Sequence, residues 1–284
     1  MVGRAAGQPE DDSNDAIVHV FGSVRSVPPV APSWGKTIPM IGEDLATIVS
    51  LGCNPDTPEC ANPALATWMA EGSVEVVNVA TASAAASETL STTVAELRAA
   101  GVEVTGYGEA AFAARSGVRL SSSGVTISIH GISLIVDDER AAGPNSPGIA
   151  GAAVLDELLE EIEALGDEGL GIVVLVDVGS LDDRAPTATQ ISDIQRLVDA
   201  GADAVIGHGS DFIQRFDRVG NTTVAYNLGN AVTSTDEPLR TDSAVLRLEF
   251  GSPGSACLLP TTADSAGPAL DDPANQSCAM ENAG

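Results

Sequence analysis

Short apolar runs alternate with segments of helical period along most of the chain. Ala16-Ile17-Val18-His19-Val20-Phe21 is an apolar run closed by Gly22, which predicts a first strand entering a turn. Residues 27–41 carry Pro28, Pro29, Pro32 and Pro39 and predict an extended loop. Helical stretches are predicted over 42–51 and 62–71, on either side of a Cys53–Cys60 loop, and a strand over 74–79. Leu90, Val94 and Leu97 recur at helical spacing within 87–100, and Gly101 ends that helix before a strand at 102–104. A hairpin is expected from 117–120, 125–129 and 132–136, with a Pro144/Pro147 loop after it. Residues 152–165 predict an acidic helix with an apolar face of Val154, Leu155, Leu158, Leu159 and Ile162. Gly171 to Val176 is apolar and largely β-branched, as in a strand buried on both faces. A helix over 187–200 and strands at 204–206, 222–226 and 243–250 complete an α/β protein with mixed sheets.

Composition narrows what such a fold can do. Among 284 residues, 13 are basic and 40 acidic, giving a net charge of −27, and Lys36 is the only lysine. A surface this acidic repels phosphate backbones and anionic lipid, so nucleic-acid and peripheral membrane partners are excluded. Aromatic residues make up only 3%, leaving the core to aliphatic side chains. No run reaches the ~20 apolar residues that cross a bilayer, so no transmembrane segment is expected.

The four cysteines fall as local pairs, Cys53 with Cys60 and Cys257 with Cys278. Four cysteines allow three connectivities, and proximity favours these two. Their spacing and the three histidines do not suit a zinc knuckle. Disulfides here place the protein outside a reducing cytosol, secreted or at the cell surface. Residues 1–15 are expected to be a flexible acidic leader, 16–251 the catalytic-size domain, and 252–284 a Pro/Ala/Ser/Asp-rich tail pinned by the second disulfide.

Chemistry in α/β sheets collects at strand ends. The ends Phe21-Gly22-Ser23, Val79 to Ser83, Val176 to Gly179, Ile206 to Asp211 and Tyr226 to Asn230 stand out. Leu197 to His208, followed by Ala225 to Asn230, resembles the Gly-Ala-Asp…Gly-His-His-Pro-His and Ser-Leu-Gly-Asn segments of the CapA family of capsule and poly-γ-glutamate biosynthesis proteins. Val76 to Gly106 is similar to that family's Asn-Asn-His strand, its helix and the following glycine-rich turn. The resemblance covers residues 16–250. It implies a metallophosphatase-like fold, a four-layer α/β/β/α sandwich of two mixed sheets, with strands 172–176 and 204–206 in one of them.

The family's metal ligands are largely replaced. Where the family has Gly-Asp, Gly22 is followed by Ser23; Asn-Asn-His aligns with Thr81, Ala82 and Ser83; His-Trp-Gly aligns with Asp177-Val178-Gly179. Of Gly-His-His-Pro-His only His208 survives, with Gly209 and Asp211 in place of the others. Two metal ions ~3.5–4 Å apart need converging carboxylates and imidazoles, which this set lacks. Asp177, His208 and Asp211 are therefore the candidate ligands of at most one weakly held divalent cation, with Ser23, Asn227 and Asn230 as candidate binding residues. The same Asp and His side chains could instead serve only to satisfy backbone groups. Two functions compete: a noncatalytic extracytoplasmic binding or structural module for a ligand or cell-surface partner, and a metal-dependent phosphoesterase or amide hydrolase working through Asp177, His208 and Asp211. No catalytic residue is assigned under the first, and no other cofactor is expected. Adjacent His208, Ser210 and Asp211 lack the Gly-x-Ser-x-Gly elbow of a serine hydrolase. Gly106-Tyr107-Gly108 lacks the third glycine of a dinucleotide fingerprint.

Overall fold

The computed structural model describes residues 16–26, 44–58, 60, 65–233, 238–251, 255–263 and 268–270. In the first sheet β1 (Ala16–Val24), β2 (Ala46–Leu51), β3 (Val76–Asn78) and β4 (Glu103–Thr105) run parallel, side by side. A short antiparallel pair joins β5 (Tyr107–Gly108) to β8 (Gly148–Ile149). The second sheet has a parallel centre of β7 (Val125–Ser133), β9 (Gly171–Asp177), β10 (Ala204–His208) and β12 (Thr222–Ala225). It is flanked by antiparallel β6 (Val118–Ser122) and β11 (Phe216–Val219). The chain then returns to the first sheet: β13 (Asn230–Val232) pairs parallel with the end of β1, and β14 (Asp242–Phe250), β15 (Ser255–Ala263) and β16 (Pro268–Leu270) add antiparallel strands.

The alternation of β-strand side chains explains the stacking. Val173 and Leu175 of β9, with Ala204 and Ile206 of β10, face Val18, Val20, Ala46 and Ile48 of the first sheet in one buried layer. The alternate positions Ile172, Val174 and Val176 face outward under α5 (Leu155–Asp167) and α6 (Ala188–Asp199), through Leu158, Ile162, Ile194 and Leu197. On the other side Phe21, Val49, Leu51 and Val77 pack under α1 (Leu65–Glu71) and α3 (Leu90–Ala99), through Trp68, Met69, Val94 and Leu97. Short helices α2 (Ala82–Ala85), α4 (Ala111–Arg115) and α7 (Pro238–Thr241) lie in the connections. The result is the expected four-layer α/β/β/α sandwich of two mixed sheets, of the metallophosphatase-like kind.

Three local expectations are corrected. The stretch 42–51 is not a helix: Ala46–Leu51 is a strand buried at every position, and consecutive β-branched Thr47, Ile48 and Val49 suit a pleated surface better than a helix. Residues 125–129 and 132–136 are not two strands, because β7 runs unbroken through Gly131, where any Cβ would collide with Asn78. The expected tail is partly sheet, since β15 pairs with β14 from Asp242↔Thr262 to Glu249↔Ser255. Cys53 and Cys60 are bonded, with Cα atoms 6.0 Å apart. The expected Cys257–Cys278 pairing, the 1–15 leader and the proline loop at 27–41 fall on or reach into segments outside the described residues.

Candidate functional site

The ends of β1, β9 and β10 and the loops after β2 and β3 meet at a cleft of about 390 Å³. Its lining includes Ser23, Arg25, Thr81, Ala82, Ser83, Asp177, His208 and Gly209, so four of the five expected strand-end segments converge there, while 226–230 does not reach the lining. Register explains the pairing at its floor. Asp177 and His208 are direct partners in the parallel β9/β10 ladder and extend the inward-facing rows of Leu175 and Ile206.

Asp177 is 2% exposed, and its Oδ2 accepts hydrogen bonds from the Ala82 amide at 2.6 Å and the Ser133 hydroxyl at 3.1 Å. Burial pushes its carboxyl up to about 6, against the opposing pull of these bonds and of Arg25. His208 is 1% exposed, and neither ring nitrogen has a hydrogen-bond partner among the described residues. Burial, and then the positive charge of Arg25, push its pKa down to about 3, so the imidazole is neutral at physiological pH. Thr81 caps α2: its hydroxyl accepts from the Ala84 amide and donates to the Leu51 carbonyl at 2.6 Å.

The residue that organises the site is Arg25, which the sequence reading did not single out. Its Nη1 donates to the Gly52 carbonyl at 2.7 Å and its Nη2 to the Gly209 carbonyl at 3.4 Å. Its Nε lies 3.1 Å from both Asn230 Oδ1 and Asp211 Oδ1. One guanidinium thus ties together the ends of β1, β2, β10 and β13. Burial lowers its pKa, while Asp211 and Asp177 oppose that shift. Arg240 approaches Asp211 from the other side and also reaches Asp182 at 2.9 Å. The available signal was scarcity: an arginine two residues beyond the family's aspartate position stands out in a chain with 13 basic residues.

Asp177, His208 and Ser23 therefore share the cleft, whereas Asp211 is spent on two arginines. Asn230 accepts from Arg25 and donates to Asp211 at 3.2 Å. Asn227 takes no part: its amide donates to the Ser210 carbonyl and its oxygen accepts from Gly229, holding the β12–β13 turn. The donor set does not fit a binuclear metal centre. Ser23 offers a neutral hydroxyl, Ala82 and Gly209 offer no side-chain donor, and the Arg25 guanidinium stands among them. Among the described residues no three His, Cys, Asp or Glu side chains form a cluster able to hold a metal ion. Gly209 also has φ +112° and no room for a Cβ, which would sit 2.8 Å from Asp177 Oδ1. An imidazole cannot be restored there without moving the backbone.

Residues 52–235 match the family model described as bacterial capsule synthesis protein PGA_cap. That stretch holds Thr81, Asp177, His208 and Asn230 and begins after Arg25. The chain is 32% identical over 107 residues to the capsule biosynthesis protein CapA of Bacillus anthracis, a match covering 36% of this chain and 26% of that protein. It is 27% identical over 135 residues to the PGA biosynthesis protein CapA of Bacillus subtilis strain 168, covering 47% of this chain and 35% of that protein. These matches span about a third or less of the curated relatives. Among solved structures, a hypothetical protein of Thermus thermophilus superposes with a TM-score of 0.55 at 14% identity, over 86% of this chain and 99% of that one. The Haemophilus influenzae NAD nucleotidase NadN superposes with a TM-score of 0.52 at 10% identity, over 90% of this chain and 54% of that one. At such identities the likeness is one of fold alone.

Proposed function

From the premise that this chain belongs to the bacterial capsule synthesis protein family PGA_cap, we propose that it is a noncatalytic, extracytoplasmic member whose strand-end cleft binds rather than hydrolyses. The observation that carries this reading is the Arg25 guanidinium, hydrogen-bonded to the Gly209 and Gly52 carbonyls and paired with Asp211 at the centre of the family's ligand positions. A fixed cation there supplies the positive charge that binds the strand ends together and opposes entry of a divalent ion. Asp177 and His208 are left to hold at most one weak ion. Work outside the cytosol is supported by the Cys53–Cys60 disulfide and by the likeness to capsule biosynthesis proteins. Among the described residues no helix is long and apolar enough to cross a membrane.

The test is metal analysis after dialysis against manganese or zinc, combined with a phosphodiester turnover assay. Less than one tight ion per chain is expected, with no turnover above buffer and no change in Asp177→Ala or His208→Ala. Two tight ions, or turnover that either substitution abolishes, would establish the hydrolase instead.

A further inference from the structure

The same cleft carries a second message in the hydrogen bonds it leaves unmade. His208 is buried, lines the cleft and has both ring nitrogens without a partner among the described residues. A buried polar group left unpaired costs about 1–3 kcal/mol, so such groups invite explanation. The Ser23 and Ser83 hydroxyls line the same cleft and have no side-chain partner among the described residues. A guanidinium has five N–H groups. Arg25 uses its Nε and one hydrogen on each terminal nitrogen, leaving two free. At the rim stand Ile135 and Leu181, 48% and 50% exposed, two of the four large apolar side chains left exposed among the described residues. A volume of about 390 Å³ falls within the range of small-molecule sites.

These features select a ligand chemistry. Both His208 nitrogens are closed off from the cleft, so the groups a ligand can reach are the Ser23 and Ser83 hydroxyls and the N–H groups of Arg25, whose complement must both accept and donate. A carboxylate or phosphate oxygen without a proton only accepts, and an ammonium only donates; a hydroxyl does both. Charge argues the same way. Arg25 is already opposed by Asp211, and Arg240 by Asp211 and Asp182. An entering anion would meet Asp177 and a chain of net charge −27. Resting on the noncatalytic reading above, we infer that the cleft binds a small uncharged polyhydroxylated ligand of about hexose size. Its hydroxyls pair with Ser23, Ser83 and the N–H groups of Arg25 that are free among the described residues, and its C–H face lies against Ile135 and Leu181.

The experiment is saturation-transfer NMR with glucose, galactose, N-acetylglucosamine and mannitol as uncharged probes, and glutamate, glucuronate and inorganic phosphate as anionic ones. Each is run in EDTA and again with manganese. At least one uncharged probe is expected to bind with millimolar affinity in EDTA. Binding should weaken about tenfold or more in Ser23→Ala and in Ser83→Ala, each removing a hydrogen bond to the ligand. Ser83 is only half-buried, so its variant keeps the test valid if Ser23→Ala fails to fold. Absence of binding by every uncharged probe, or binding undiminished in both variants, overturns the inference. Preference for the anions also overturns it while leaving the noncatalytic reading in place. Binding that requires manganese also overturns it, while the noncatalytic reading stands or falls on the metal-content and turnover assay above.

Discussion

The parallel strands of this protein carry acidic groups at both of their ends, but use them in different ways. Where strands begin, each carboxylate has work to do on backbone: Glu75 accepts from the Thr47 amide at 2.7 Å, and Asp203 from the Ile172 amide at 2.8 Å. Asp44, just before β2, takes the imidazole of His19 at 2.7 Å and the Thr47 hydroxyl. Where strands finish, Asp177 is likewise bonded, yet beside it lie the His208 imidazole and the Ser23 and Ser83 hydroxyls, none with a side-chain hydrogen-bond partner among the described residues. Most polar groups at the starts fasten neighbouring strands to one another, although the His19 Nε2 has no partner among the described residues. Those at the ends exceed what fastening requires, and the excess marks the cleft.

Arg25 gives the largest test of that contrast, because its one side chain fastens the finishing ends of β1, β2 and β10 together. Arg25→Ala removes the donor to two carbonyls and leaves Asp211 paired by Arg240 alone. Breaking a buried ion pair from one side costs about 3–5 kcal/mol. For a chain of this size each kcal/mol moves Tm by roughly 2–4 °C. Urea denaturation should register a loss near the lower end of that energy range, since Asp211 keeps one partner. A loss under ~1 kcal/mol would mean that the finishing ends are held by packing alone and that Arg25 belongs to ligand binding only.

Two buried histidines of the second sheet sharpen the comparison further. His130 has both nitrogens engaged, with the Ser128 hydroxyl at 2.9 Å and the Arg115 carbonyl at 3.0 Å. His208 has neither. His130→Leu strands two partners and should cost about 1–3 kcal/mol, whereas His208→Leu strands none and should be neutral or stabilising by up to about 1 kcal/mol. Equal losses in thermal unfolding of the two variants would break the distinction between fastened and surplus groups.

This distinction also sets what could be read from the sequence. The long buried strands, the α5 and α6 helices with their apolar faces, and the convergence of four of the five strand-end segments were legible, because each depends on local period and on order along the chain. Thr187 and Gln190, for instance, form a capping box at the start of α6, close to the predicted helix start. β2 was mistaken because a fully buried strand has no alternation to betray it. β15 was missed because its pairing with β14 carries the information, while its own Pro260 and threonines read as tail. Arg25 and Arg240 were missed for a different reason. Their role comes from meeting Asp211 across 186 and 29 residues of chain, which no local pattern encodes.

The smallest effect belongs to the starting ends and is read through pH. Burial, with a further contribution from neighbouring Asp44, raises the Glu75 carboxyl to about 7 from an ordinary value of 4.5. His19 and Thr47 share the neighbourhood through their bonds to Asp44, and the Thr47 amide pulls the other way. A raised carboxyl means that the folded protein holds a proton the unfolded chain has released between about pH 4.5 and 7. The contribution of Glu75 is therefore full below pH 4.5 and is lost as pH rises through 7. Because Glu75 is only half-buried and partly screened by water, the loss is about 1 kcal/mol. Glu75→Gln keeps an oxygen for the Thr47 amide and never ionises. It should match the wild type in thermal unfolding at pH 5 and exceed it by a few degrees at pH 8. The shallower pH slope in the variant is the signature to seek, since Asp203 and Asp177, also raised by burial, continue to titrate in both proteins. If the two slopes coincide, Glu75 is ionised in the fold as it is in the open chain, and the starting ends hold no more strained charge than ordinary surface does.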